Sequence, residues 1–207
     1  MSNVTTIDTK TQILNAAERL IAEKGFAATT LRNIVGEAGV NLAAVSYHFG
    51  SKEELYRAVV HRIAVPVIER QLQMLEQLQQ KTATPSVEDL LTAYLTPPFE
   101  FVMGDEQYRI IRAQFMGRCR IEPEPIQSIA QAEFSPNIDL FLDALQRVLP
   151  NQSRSQLSWK LDLVVAALIR VQTEASKPVA LLRSSQPQDI QATLLNLVKF
   201  LAAGMQA

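Results

Sequence analysis

Apolar residues along this chain recur at steps of three and four, and nowhere do they alternate in the two-residue rhythm of a half-buried strand. Over residues 10–24, KTQILNAAERLIAEK, the positions Ile13, Leu14, Ala17, Leu20 and Ile21 make one stripe with charge opposite, which predicts an amphipathic helix. Thr9 and Gln12 have the spacing of a capping box, and Gly25 suits the residue that stops the helix. A second, short helix is expected to open at Thr29 or Thr30, whose hydroxyl can cap free amides, and to run through LRNIVGEA to Gly39. A third covers residues 42–49 with Asn41 as its N-cap. Ser51 and Glu54 form an S-x-x-E capping box for a fourth helix. It carries Tyr56, Val59, Val60 and Ile63, passes Pro66, a residue type that kinks helices, and reaches about residue 80.

The polar stretch KTATPS, residues 81–86, is the clearest loop. Beyond it the helical rhythm resumes over 87–103 and 105–119, parted by Gly104. It continues over 125–133, over 136–149 behind an opening proline, over 156–176 and over 187–203. No repeat or low-complexity tract interrupts it. The expected fold is all-α with about nine helices: a three-helix head, residues 1–56, joined through the fourth helix to a larger helical body, residues 57–207.

Composition narrows the function more by exclusion than by suggestion. The 207 residues are 47% hydrophobic and 20% charged, as in ordinary globular chains. No apolar run reaches a membrane-spanning length, the start MSNVTTIDTKTQ lacks the apolar core of a signal peptide, and a single cysteine, Cys119, fits a reducing cytoplasm. The net charge of −1 argues against a protein that coats nucleic acid unspecifically, and residues 1–63 hold only seven Lys/Arg against six Asp/Glu. Any recognition of a polyanion has to come from local geometry. An enzyme has little to work with: two histidines without acidic or thiol partners at metal-ligand spacing, a cysteine without a base, and no glycine-rich phosphate loop. No cofactor or metal is expected.

Local geometry is what residues 30–49 offer. Two short helices joined by the tight turn A-G-V-N have the helix-turn-helix pattern, with Gly39 able to take the positive φ such a turn needs. In that unit the second helix lies in the major groove. Val45 and Phe49, four apart, would face inward and leave Asn41, Leu42, Ala43, Ala44, Ser46, Tyr47 and His48 toward DNA. Small Ala43 and Ala44 permit close approach and contact with thymine methyls, while Tyr47 and His48 end in groups suited to phosphate oxygens. Thr30 and Lys52, each beside a helix start, place a hydroxyl and a cation where backbone phosphates could sit.

These residues also carry a resemblance. T-T-L-R-N-I-V-x-x-A-G-V-N, followed by Y-H-F-x-S-K-E-E-L, is similar to the DNA-binding head of the tetracycline-repressor (TetR) family over roughly residues 10–60. The resemblance implies a homodimeric, cytoplasmic, ligand-released regulator of transcription, more often repressor than activator, bound to a palindromic double-stranded DNA operator. It maps phosphate and base contacts onto Thr30, Asn41, Leu42, Ala43, Ala44, Ser46, Tyr47, His48 and Lys52. Val35 and Gly36 depart from the family pattern, and Gly36 should soften the second helix. AGVNLAAVSYHF and the terminal FLAAGM look similar to the fatty-acid-responsive branch, which implies a small hydrophobic, fatty acyl effector.

For the body, an effector site between helices would be mostly apolar. Its candidate walls are Phe99, Val102, Met103, Ile111, Phe115, Met116, Phe141, Leu145 and Trp159, for each of which plain core is the favoured reading. Arg112 and Arg170 are the candidate anion holders. Arg170, set in the run LVVAALIRVQ, needs a partner, a dimer seam or an anion, and the first two are favoured. The last two helices show broad apolar faces, Leu157, Leu161, Val164, Val165 and Leu168, then Leu194, Leu197, Val198 and Leu201. Doubled by a twofold axis they would form a four-helix dimer seam, unless they serve one chain's own core. The alternative to a DNA-binding regulator is a helical ligand-binding or adaptor protein whose head touches protein, an option kept open by the near-neutral head.

Overall fold

The computed structural model describes residues 8–82, 84–102, 106–173 and 187–207, leaving aside the side chains of 102, 106, 107, 109, 173 and 187–190. Among the described residues there are ten helices and no strand. They are α1 (Thr9–Lys24), α2 (Leu31–Ala38), α3 (Leu42–Phe49), α4 (Lys52–Lys81), α5 (Val87–Val102), α6 (Glu106–Arg118), α7 (Ile126–Phe134), α8 (Ile138–Val148), α9 (Arg154–Thr173) and α10 (Pro187–Gln206). The all-α expectation holds, with ten helices in place of about nine.

Local signals set the helix starts in the head. The first differs from expectation: Asp8, one residue earlier than Thr9, is the cap, its carboxylate accepting the Thr11 amide at 3.0 Å and the Thr11 hydroxyl at 2.7 Å. An ionised carboxylate is the stronger acceptor for a helix amide, which decides between the two residues. Thr30, not Thr29, caps α2, in a reciprocal box with Asn33. Thr29 is instead fully buried and donates its hydroxyl to the Gly25 carbonyl at 2.8 Å. Asn41 and Ser51 cap α3 and α4 as expected, accepting the amides of Ala44 and Glu54 at 2.9 and 3.1 Å.

α4 is continuous for 30 residues and keeps Pro66 inside it. α5 contains Pro97 and Pro98, and a proline there leaves the carbonyl four residues earlier without its helical donor. For Pro98 that carbonyl belongs to Tyr94, and the buried side chain of Gln71 on α4 supplies the missing bond at 2.6 Å. The Gln71 carbonyl in turn accepts the side-chain amide of buried Asn137 at 2.6 Å. A chain of amides thus crosses the apolar body because a proline interrupts one of its helices.

The head is not hung on α4 alone. α1 packs along α6, and one continuous apolar cluster runs from Ile13 and Leu20 in α1 through Tyr56 and Val59 in α4 to Phe115 in α6. The buried Tyr56 stands at the centre of this joint. Its ring meets Phe26 edge-on at 5.2 Å and Phe115 at 6.1 Å, and its hydroxyl donates to the Cys119 carbonyl at 3.3 Å. Burial raises the Tyr56 pKa, so the phenol stays protonated and able to donate.

The last two helices divide between the two roles expected of them. Leu157, Leu161, Val164, Leu168, Val198 and Leu201 are buried within the single chain, and Val165, Leu194 and Leu197 are half-buried against the same core. α9 spends this face on α6, and α10 spends its own on α5. The six buried side chains are thus spent in the chain's own core, while the half-buried Val165, Leu194 and Leu197 keep part of their surface open. The opposite faces expose Trp159 and Leu163 on α9 and Leu195 and Phe200 on α10.

Candidate nucleic-acid interface

The turn between α2 and α3 is built on Gly39, whose φ of 67° and ψ of 29° lie in the left-handed region and whose amide donates back to the Val35 carbonyl. An L side chain there would meet its own backbone, so glycine fits this position. Val40 donates to the same carbonyl at 3.1 Å and closes the turn on the core. Val45 and Phe49 then face inward against the core cluster that also holds Ile34. That anchoring turns the rest of the short helix outward.

The outward set comprises Asn41, Leu42, Ala43, Ser46, Tyr47 and His48, with Ala44 half-buried at its edge. Tyr47 is 85% exposed, an unusual place for an aromatic ring unless something is to cover it. Its ring stands edge-on to that of His48 at 5.0 Å. Ser46 donates to the Leu42 carbonyl at 3.4 Å. Asn41 commits its side-chain carbonyl to the cap, so what it can offer a base edge is its amide NH2 group. Thr30, exposed at the start of α2, accepts the Asn33 amide at 3.1 Å and gives its hydroxyl proton to the Asn33 side chain at 2.6 Å. Arg32 is also exposed in the first turn of α2, and a lone surface arginine of this kind carries no pattern in the sequence.

Lys52 does not join this face. Its ammonium donates to the Phe26 carbonyl at 2.6 Å and sits 4.0 Å from the centre of the Phe26 ring. Burial lowers its pKa, opposed by the charges of Glu53 and Glu122. The loop that receives it is also held from the body: the Phe26 amide donates to the Glu122 carboxylate at 3.0 Å. Gly25, at φ 84°, lies so close that a Cβ would come within 3.0 Å of the Arg118 guanidinium and 3.1 Å of Glu122. Lys52 thus ties the start of α4 to the loop after α1 within the head, and the Phe26 amide carries that loop on to the body, so the ammonium expected at a phosphate is engaged inside the protein.

The expected effector walls divide three ways. Phe99, Phe115, Met116, Phe141 and Leu145 are buried together in the body. Ile111 and Arg112 line instead a cleft of about 680 Å³ between α1 and the body. Trp159 is 62% exposed and is no wall of an interior site, because α9 turns Leu157 and Leu161 inward instead. Arg170 also lies at an exposed position of α9. Met103 and the side chain of Val102 lie outside the described residues.

Inside the body, a cavity of about 10 Å³ is bordered by Gln71, Tyr94, Met116, Arg120 and Gln172 among others. Gln172 is buried, its amide meets the Met116 sulfur at 3.8 Å, and its carbonyl oxygen has no hydrogen-bond partner among the described residues. Buried glutamines are rare enough that Gln71 and Gln172 were legible as interior only through structure. Cys119 is fully buried with its thiol pushed up to about 12 by desolvation, which leaves it a poor nucleophile. Among the described residues no group of three His, Cys, Asp or Glu is placed to hold a metal, and no helix is long and apolar enough to cross a membrane.

Residues 13–59 match the bacterial regulatory proteins of the tetR family, and residues 92–204 match the tetracyclin repressor-like C-terminal domain. The chain belongs to the TetR family. Among its TetR relatives, the dual transcriptional regulator CecR of Shigella flexneri is 41% identical over 119 residues, 55% of this chain and 52% of that protein. The chain thus matches about half the length of this relative. The repressor BepR of Brucella suis is 24% identical over 164 residues, 78% of this chain and 76% of that one. Two solved TetR-like structures share the fold over nearly their full length. The fatty acid degradation regulator FadR of Bacillus halodurans superposes with a TM-score of 0.65 at 18% identity, covering 98% of this chain and 97% of that one. NalD of Pseudomonas aeruginosa does so with a TM-score of 0.63 at 23% identity, covering 95% and 96%. A family of regulatory proteins also answers the enzyme alternative.

Proposed function

We propose that this TetR-family chain is a cytoplasmic, ligand-responsive repressor of transcription that binds a palindromic operator as a homodimer. The observation that carries the reading is the outward face of α3, where Leu42, Ala43, Ser46, Tyr47 and His48 stand exposed on a helix anchored by Val45 and Phe49. Ala43 and Ala44 let the helix approach base edges, Asn41 reads through its amide group, and Tyr47, His48 and Thr30 meet phosphates. Arg32 joins them as a phosphate contact in place of Lys52. The head corresponds to residues 1–56 and the body to 57–207.

A palindrome requires two heads at fixed spacing. The exposed apolar side chains Trp159, Leu163, Leu195 and Phe200 on α9 and α10 supply the material of the twofold contact, since the buried faces of those helices are already used. The effector enters the body. The interior cavity is only about 10 Å³, so a ligand must part α4, α5 and α9 to bind, and that rearrangement is what reaches the head through α6 and α1. A hydrophobic, fatty acyl effector is the class to test first, on the likeness of residues 38–49 and of the terminal FLAAGM to that branch and on the apolar interior.

The test is affinity for the DNA upstream of the chain's own coding sequence. Wild type is expected to bind, and Ala44→Leu is expected to change which sequence is preferred. Binding to no duplex by folded protein contradicts the proposal. If acyl chains titrated into the complex leave its affinity unchanged, that effector class is dropped while the DNA reading stands.

A further inference from the structure

The cleft between head and body has a different chemistry from the interior, and we propose that it is a separate ligand site selective for a small carboxylate carried on a flat apolar group. α1 forms one wall, while Arg62 and Ile63 of α4, Phe101 of α5, and Tyr108, Ile111 and Arg112 of α6 contribute to the others. At its centre two guanidiniums already hold a carboxylate. Glu18 of α1, with its side chain only 11% exposed, accepts from Arg62 at 2.5 Å and lies 3.9 Å from Arg112. The second Arg62 nitrogen is occupied by the Asn15 carbonyl at 2.8 Å.

Arg112 is the arginine within an incoming ligand's reach. Its contact with Glu18 is long, its side chain is 39% exposed, and its guanidinium packs over the Phe101 ring at 5.2 Å. The half-exposed Tyr108 ring and Ile111 extend that flat apolar surface. The third guanidinium on the cleft, Arg19, is committed to Glu37 and, at 3.1 Å, to Glu23. Arg62 and Arg112 thus share the single carboxylate of Glu18, and the long arm of that pair leaves Arg112 able to take a ligand carboxylate. The protein's own carboxylate identifies the anion the site fits, and the rings beside it identify what the anion is attached to.

Occupancy has a structural consequence. Glu18 is the point at which α1 is tied to both α4 and α6, so a ligand that takes Arg112 from it loosens the head from the body. Neither the interior effector nor DNA binding is needed for this inference. The test contains no DNA, so its failure and that of the functional proposal are separable.

The experiment is calorimetric titration of the full chain with benzoate, benzamide and inorganic phosphate. Benzoate is expected to bind, and the uncharged benzamide and the ring-less phosphate to bind at least about tenfold more weakly. Arg112→Ala should weaken benzoate by at least about tenfold, whereas Glu18→Gln, which keeps the side chain's shape but removes the competing charge, should tighten it. A merely structural role for Glu18 cannot produce tighter binding, and this arm decides the matter should Arg112→Ala fold poorly. Three results overturn the site: no benzoate binding at millimolar concentration, phosphate binding as tight as benzoate, or benzoate binding that Glu18→Gln leaves unchanged or weakens.

Discussion

The head and the body use the same residue type at the same helix position for opposite ends. Asn41 and Asn137 both stand just before the first turn of a helix, α3 and α8 respectively. Exposed Asn41 folds its side chain onto its own helix and accepts the Ala44 amide, a contact three residues long. Buried Asn137 makes no such cap and donates across the core to Gln71, 66 residues away, to complete the relay that ends on the Tyr94 carbonyl. The head starts its short helices with local caps and leaves the outer face of α3 exposed. The body also caps α5 and α9 locally, through Ser86 with Asp89 and Ser153 with Gln156, but its buried amides Gln71 and Asn137 find partners only across helices.

Substitutions can break that contrast in order of size. Phe115→Ala empties a fully buried site against the Tyr56 ring and is expected to cost about 3–5 kcal/mol, measured by denaturant unfolding. Gln71→Leu leaves the Tyr94 carbonyl and the Asn137 amide unpaired in the core, a loss of about 1–3 kcal/mol. That loss should shrink in a Pro98→Ala background, where α5 recovers the amide that Tyr94 lacks; an unchanged loss breaks the relay argument. Asn41→Ala removes a cap worth about 1 kcal/mol and, unlike any change in the relay, alters the choice of DNA sequence. Tyr47→Ala should move stability by less than about 0.5 kcal/mol while weakening binding to every duplex alike, which filter binding beside thermal unfolding would separate. Gly36→Ala is opposite in sign to all of these. A Cβ there meets nothing within 4 Å, so α2 should gain about 0.5–1 kcal/mol.

The same contrast explains what could be read from the chain alone. Thr30, Asn41 and Ser51 announce their helices within four residues, and the α2–α3 turn is written in Gly39 and Val40, so the head was legible almost residue by residue. Even there Asp8 displaced Thr9, because two adjacent cap formers compete and the carboxylate wins. Lys52 looked like a surface cation because its partner, the Phe26 carbonyl, is 26 residues away in sequence. On α9 and α10 the apolar rhythm showed that stripes exist but not what covers them. Leu157 and Leu161 belong to the core and Trp159 and Leu163 to the surface, a choice made by α6 and α5 rather than by local pattern. Gln71 is the clearest case of illegibility, since its role depends on a proline in another helix.

The central claim is that α3 is a reading head repeated by twofold symmetry, and selection of bound sequences from a random duplex pool tests it most directly. The account predicts enrichment of an inverted repeat whose half-sites lie about 34 Å, one turn of DNA, or a multiple of it apart. Folded protein that enriches no sequence, or only an isolated half-site, would contradict it.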